Sequence, residues 1–224
     1  MARPHEDRER HTQVDHRPGG LPATFTPGAW CAIDIVHVTS EREQAAVSAY
    51  ETLIEKAHTS AAKAQAAVVL RSVNHRRVVA IVALEGHGGF AHLVSAWDAH
   101  HLYAGHRAVA ESASLALFQV KESAGDVFVD PATHDAYAFE RTAADALRVA
   151  TLIVPLTAAE GFRGALVFGG DAGGAAILYR FEHAADFDAF RASAPARGVL
   201  GAEGSSGDAE FAVHPVKSFP GAAV

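Results

Sequence analysis

Apolar and polar positions along this chain fall into two rhythms, one of period two and one of period three to four, and they are clearest from Val78 to Lys121. There an apolar strand (VVAIVALE) meets a Gly break, a helix (FAHLVSAWDAHHLYAGHRAVA) and a second strand (SLALFQVK). A shorter copy follows later. Ala176 to Phe190 repeats Val79 to Leu93 at an offset of 97, which aligns Glu85 with Glu182, Phe90 with Phe187 and Leu93 with Phe190.

The same rhythms place the remaining elements. Trp30 to Val38 is rich in aromatic and β-branched residues and follows the turn Thr26-Pro27-Gly28, so it reads as the first strand. Side chains alternate faces, putting Cys31, Ile33, Ile35 and His37 on one side and Ala32, Asp34 and Val36 on the other. Ser40 with Glu43 reads as a capping box. The helix it opens has Ala46, Val47, Tyr50, Leu53, Ile54 and Ala57 on one face and is expected to end near Ser60. Gln65 to Asn74 and Arg77 to Glu85 read as strands joined at Asn74-His75-Arg76, which suits a hairpin. Together with the opening stretch this gives β-α-β-β-α-β, the ferredoxin-like order.

The fold class expected is therefore α+β, two fused ferredoxin-like repeats of which the second is degenerate. Residues 1–22 form a charged N-terminal tail expected to be disordered, 23–124 the first repeat, 125–146 a linker and 147–224 the second repeat. Short strands at Asp126–Asp130 and Tyr137–Glu140 are expected to flank the turn Pro131-Ala132-Thr133 within the linker. Leu147 to Pro155 (LRVATLIVP) reads as the opening strand of the second repeat. Only Leu156 to Arg163 separates it from the strand Gly164–Gly169, too few residues for a crossover helix. Ala175–Phe181, the helix Ala184–Ser193 and the strand Glu210–Val216 complete that repeat.

Composition narrows the function. The 224 residues carry 26 acids against 19 bases, a formal charge of −7, and no basic stripe, so nucleic acid is not an expected partner. Single Cys31 excludes an internal disulfide framework and points to a reducing cytoplasm. No apolar run approaches the roughly 18 residues of a membrane span.

Five of the fourteen histidines, His87, His92, His100, His101 and His106, crowd the Val78–Lys121 stretch. Helical spacing sets Phe90, Val94, Trp97, His101 and Ala104 on one face, and Tyr103 on another. His101 beside Trp97 suits a general base, a hydrogen-bond donor or a metal ligand, and equally a core histidine bonded to backbone. No two of these histidines stand four apart, so a metal site is not expected. Neither a GxSxG elbow nor a strand-linked GxGxxG occurs, which removes the usual support for acyl-enzyme or nicotinamide chemistry. Within the strands His37, Asp34, Arg71, Asn74, Glu85 and Gln119 interrupt apolar runs. Arg71 between Leu70 and Ser72 must face a cavity, an acid or a bound anion.

Two fused β-α-β-β-α-β units, with an apolar strand leading into a Trp- and His-bearing helix, resemble the dimeric α+β barrel superfamily and, within it, the antibiotic biosynthesis monooxygenases. The resemblance covers about residues 29–217. It implies that the tandem chain closes its own barrel and oxidises an aromatic polyketide-like phenol to a quinone with molecular oxygen as co-substrate and no prosthetic group. It also implies roles for His101, Trp97, Arg71 and His37 in catalysis and for Asp34, Tyr50, Asn74 and Tyr103 in holding a small aromatic substrate. Haem bound through His101 or His37 is the alternative cofactor reading, and a non-redox cyclase or ligand-binding protein is the alternative activity. A homodimer is compatible with the resemblance.

Overall fold

The structure, a computed structural model, describes residues 23–60, 62–99, 110–126, 128–200 and 210–219. A two-residue strand, β1 (Ala23–Thr24), precedes β2 (Trp30–Val38), which fills the range that its aromatic and β-branched content predicts. α1 (Glu43–Thr59) buries Ala46, Val47, Tyr50, Leu53, Ile54 and Ala57, the periodic face read from the sequence. Its start differs from expectation: Arg42 is the N-cap, and no side chain caps the helix. Glu43 does not close a capping box with Ser40; its Oε2 lies 2.9 Å from His75 Nδ1. A carboxylate with only 8% of its side chain exposed gains more from an imidazole partner than from a solvated backbone N–H.

β3 (Ala64–Ser72) and β4 (Arg77–Leu84) form the expected hairpin. The Ser72 hydroxyl organises its turn, donating to Asn74 Oδ1 at 2.7 Å and accepting from the backbone N–H groups of Arg77 at 2.8 Å and Arg76 at 3.1 Å. α2 (Gly88–Ala99) follows, packed so closely that a Cβ on Gly89 would lie 2.9 Å from Ala62 O. β5 (Ala110–Gly125) is longer than the run Ser114–Lys121 that marks it in the sequence.

β6 (Phe128–Val129) and β7 (Ala136–Thr142) come next. The run Leu147–Pro155 is not a strand. It forms two short helices, α3 (Ala146–Ala150) and α4 (Ile153–Thr157). Asp145 caps α3, its Oδ1 accepting from Leu147 N at 2.8 Å. Val149, Leu152 and Leu156 are buried while Leu147 and Val154 are each 77% exposed, which is helical spacing and incompatible with a buried strand. The helix thought missing is thus present in two pieces, and the strand before it, β7, lies in the stretch read as a linker. β8 (Phe162–Gly170), β9 (Ala175–Phe181), α5 (Ala184–Arg191), α6 (Ala194–Leu200) and β10 (Glu210–Phe219) complete the chain.

The eight long strands among the described residues join in one closed antiparallel barrel of order β10-β3-β4-β2-β5-β8-β9-β7. Closure leaves none of them with an unpaired edge along its whole length. Three apolar layers result. Ile33, Val68, Leu70, Ile81, Phe118, Phe139, Phe168 and Leu178 fill the lumen from both halves of the chain. Ala32, Val36, Val69, Ala80 and Val82 meet α1 on the outside of one half, and Val167, Ile177, Tyr179 and Phe181 meet the helices of the other. Full burial of each large lumen side chain contributes about 1.5–3 kcal/mol.

Candidate functional site

Strand alternation sorts the candidate residues by face. On β2, Cys31, Ile33 and Ile35 belong to the lumen, whereas Ala32 and Val36 belong to the layer under α1. Asp34 is fully buried in that helix-side layer, its backbone paired with Ala80 of β4 and Leu115 of β5. Tyr50, also 0% exposed, enters the same layer from α1. Arg71 shares the helix-facing side of β3 with Ala67 and Val69. It is half-buried, and among the described residues it has no hydrogen-bond or ion-pair partner. From Asp34 to Arg71 the sheet runs two strands across, through Ala80 and Val69, and two residues along. Ordinary strand spacing and rise make this about 12 Å between Cα atoms.

Other candidates lie elsewhere. His37 falls on the lumen side of β2, opposite in direction to Asp34, and is paired in register with Arg77 and Ser112. Asn74 sits in the exposed β3–β4 turn, where its Oδ1 accepts from Ser72 and from Arg76 N at 3.2 Å. Trp97 is on α2, whose backbone is described to Ala99, but its side chain lies outside the described residues, as do His101 and Tyr103 entirely. The structure therefore brings Asp34, Tyr50 and Arg71 to one side of the sheet and separates His37 and Asn74 from them.

Glu140 escaped the sequence reading. It is 1% exposed on the helix-facing side of β7 and accepts from the Tyr179 hydroxyl at 3.3 Å and from Arg191 Nη2 at 3.3 Å. Asp34 pairs in register with Ala80, and Glu140 with Ile177, 97 residues after Ala80. In each half of the barrel a carboxylate is thus buried at the same place on its sheet, but Glu140 lies 106 residues after Asp34, so the offset of 97 reaches it only through the strand pairing. Cys31 faces the lumen, and burial pushes its thiol up to about 12, so it stays a neutral, inert group.

Haem requires an axial ligand. Among the described residues of the first half, His87 and His92 are exposed, and His58 at the end of α1 packs its ring 5.8 Å from that of Phe219. None is fully buried in the layer holding Asp34. No group of three or more His, Cys, Asp or Glu residues suited to a metal occurs among the described residues. No described helix is long and apolar enough to cross a membrane.

Compared with solved structures, the chain superposes on an anthrone oxidase-like protein with a TM-score of 0.69 at 12% identity, covering 91% of this chain and 100% of the other. The chain shares that protein's fold, a closed antiparallel barrel with helices on its outside. A Fusobacterium nucleatum protein named for monooxygenase activity matches with a TM-score of 0.60 at 10% identity, over 89% of this chain and 98% of that one. Chlorite dismutase from Candidatus Nitrospira defluvii matches at 0.53 and 13% identity, over 86% of this chain and 93% of its own. No protein-family model and no curated protein sequence matches.

Proposed function

We propose that this chain is a cofactor-independent monooxygenase built from two fused ferredoxin-like units, which oxidises an electron-rich aromatic phenol to a quinone in the layer between the first-half sheet and its helices. The observation that carries this reading is Arg71, a half-buried cation without a partner among the described residues, on the same sheet face as the buried Asp34. A cation so placed suits a substrate anion that arrives and leaves. The roughly 12 Å between the two positions, spanned by apolar Ala80 and Val69, matches the length of a fused-ring aromatic with a polar group at either end, which would have to displace side chains of the layer to enter it. The likeness in fold to an anthrone oxidase-like protein supports the same substrate class.

The chemistry asks little of the protein beyond charge and dryness. A base removes a proton from the activated phenol or anthrone carbon; His101, four residues after Trp97, supplies it. The carbanion-phenolate passes one electron to dioxygen, the two radicals join into a hydroperoxide, and loss of water leaves the quinone. One oxygen atom enters the product and one leaves as water. Arg71 stabilises the anion and Asp34 accepts a hydrogen bond from the far hydroxyl. The apolar side chains around them exclude the water that would quench the radical pair.

Arg71→Gln tests the placement. It is expected to raise KM for an anthrone and lower kcat/KM by about tenfold to a hundredfold, the scale of one lost charge-assisted contact, with the fold retained because Arg71 holds no other residue among those described. Unaltered kinetics in that variant would remove the site from this face. A Soret band that forms on adding haem, together with activity confined to the haem-loaded protein, would replace the cofactor-free reading by a haem one.

A further inference from the structure

The strand that closes the barrel brings a residue of the second half to the sheet of the first. β10 pairs with β3 in the register Val213 with Ser72, His214 with Arg71 and Pro215 with Leu70, so His214 stands directly across from Arg71. Val213 and Leu70 belong to the lumen cluster, and alternation therefore turns both His214 and Arg71 to the outside of the barrel. His214 lies in the regular part of this ladder, before the register shift between Pro215 and Lys217.

The ladder also sets their separation. Val73 N donates to Ala212 O at 3.0 Å. Hydrogen-bonded pairs recur every second residue in an antiparallel ladder, so Arg71 and His214 form the next one, with Cα atoms about 5.5 Å apart. Arg71 is half-buried and His214 exposed, and neither has a hydrogen-bond or ion-pair partner among the described residues. Their neighbours on the outer face are apolar: Val69 precedes Arg71 on β3, and Val78 of β4 pairs with it. Whenever the imidazole is protonated, the pair sets like charges opposite each other, which destabilises a sheet. An anion held between them turns that repulsion into attraction. Just beyond the pair, within the register shift, Val216 packs half-buried against the helix-side cluster. The two donors thus border apolar surface that is only partly covered.

We propose that His214 completes the anion site at Arg71, and that the ligand taken there is an aromatic hydroxy acid whose carboxylate stands next to its hydroxyl. Arg71, the more buried of the two, holds the hydroxyl oxygen as it ionises, and His214 at the solvent edge donates to the carboxylate. A lone phenolate oxygen would occupy Arg71 and leave His214 idle, whereas two adjacent anionic groups engage both. That the hydroxyl is the reacting group rests on the oxidase reading; the carboxylate contact rests on the register of His214 with Arg71.

Calorimetric titration of the full chain under nitrogen, where no oxidation proceeds, with 1-hydroxy-2-naphthoate and with 1-naphthol tests it. The hydroxy acid is expected to bind saturably, one per chain, and about tenfold or more tightly than the naphthol. His214→Ala, at an exposed position, weakens binding of the hydroxy acid about tenfold, the scale of one charge-assisted hydrogen bond, and leaves naphthol binding unaltered. His214→Gln keeps an N–H donor and recovers part of the loss. Arg163→Gln removes a guanidinium paired with Glu182 at 2.7 Å and changes neither affinity. Absence of saturable binding, equal affinity of the wild type for the two ligands, or a His214→Ala loss shared equally by both would overturn the assignment. Oxygen uptake in air separates this site from the oxidase reading. Selective binding without uptake keeps the site and removes the oxidase; uptake with ligands that lack a carboxylate, and no selectivity in binding, keeps the oxidase and removes the site.

Discussion

Glu140→Ala removes the carboxylate that faces Arg191 and Tyr179 beneath the second helix layer. The Glu140 side chain is 1% exposed and that of Arg191 10%, at 3.3 Å. Breaking a buried pair from one side costs about 3–5 kcal/mol, because the surviving charge stays buried. Arg191 ends α5, and its slight exposure lets the guanidinium recover some water, so the expected loss lies at the lower limit, about 3 kcal/mol. For a chain of this length each kcal/mol shifts Tm by about 2–4 °C, giving a fall of roughly 6–12 °C. Glu140→Gln keeps the shape and one acceptor and is expected to lose less. The double variant Glu140→Leu/Arg191→Leu removes both charges and should recover about 1 kcal/mol or more relative to the sum of the single variants. Urea unfolding with the m-value compared across the set is the assay. A loss under about 1 kcal/mol in Glu140→Ala, or strict additivity in the double variant, would refute the reasoning.

Other outcomes follow from single positions. His101→Ala is expected to leave the melting curve in place while turnover falls roughly a hundredfold, the loss typical of a missing general base; unchanged turnover would sink its role. Gly125→Ala should destabilise strongly, since Gly125 has φ 65° and a Cβ there would collide with the Arg163 carbonyl; a Tm within a degree of the wild type would contradict that. Cys31 should resist thiol reagents until the barrel is unfolded in urea, and rapid labelling of the native protein would show the lumen to be open. Its thiol is raised to about 12 in the folded state from about 9. The unfolded chain therefore loses that proton first, and stability declines as pH rises from about 9 to 12. In Cys31→Ala the alkaline decline measured by urea titration should be shallower, and an identical slope would count against the burial argument.

Much of the barrel was legible in residue patterns. β2 and β9 are bounded as their β-branched runs suggest, and the buried face of α1 follows directly from its i, i+3, i+4 spacing. The run Leu147–Pro155 was not legible from apolarity, because a short apolar run fits a buried strand or a helix equally. What distinguished them was Asp145 just before the run and the spacing Val149, Leu152, Ile153, Leu156, which is helical. At the site, alternation correctly placed Asp34 and His37 on opposite faces, but no local pattern says which face lies under a helix and which lines a lumen. That is decided by closure of the sheet, a long-range event. Arg141 shows the same limit: it meets Ser114 only because two strands far apart in the sheet curve to face each other.

The central claim is oxygen-dependent oxidation without a cofactor, and an oxygen electrode addresses it directly. Purified full-length protein, checked for absence of haem and metal, is mixed with an anthrone in air-saturated buffer while the quinone is followed by absorbance. The account predicts protein-dependent uptake of one dioxygen per quinone formed, no accumulated hydrogen peroxide, and a rate cut at least tenfold by Arg71→Gln. Uptake no faster than the buffer control across a panel of anthrones and hydroxynaphthalenes, or uptake that starts only after haem is added, would contradict it.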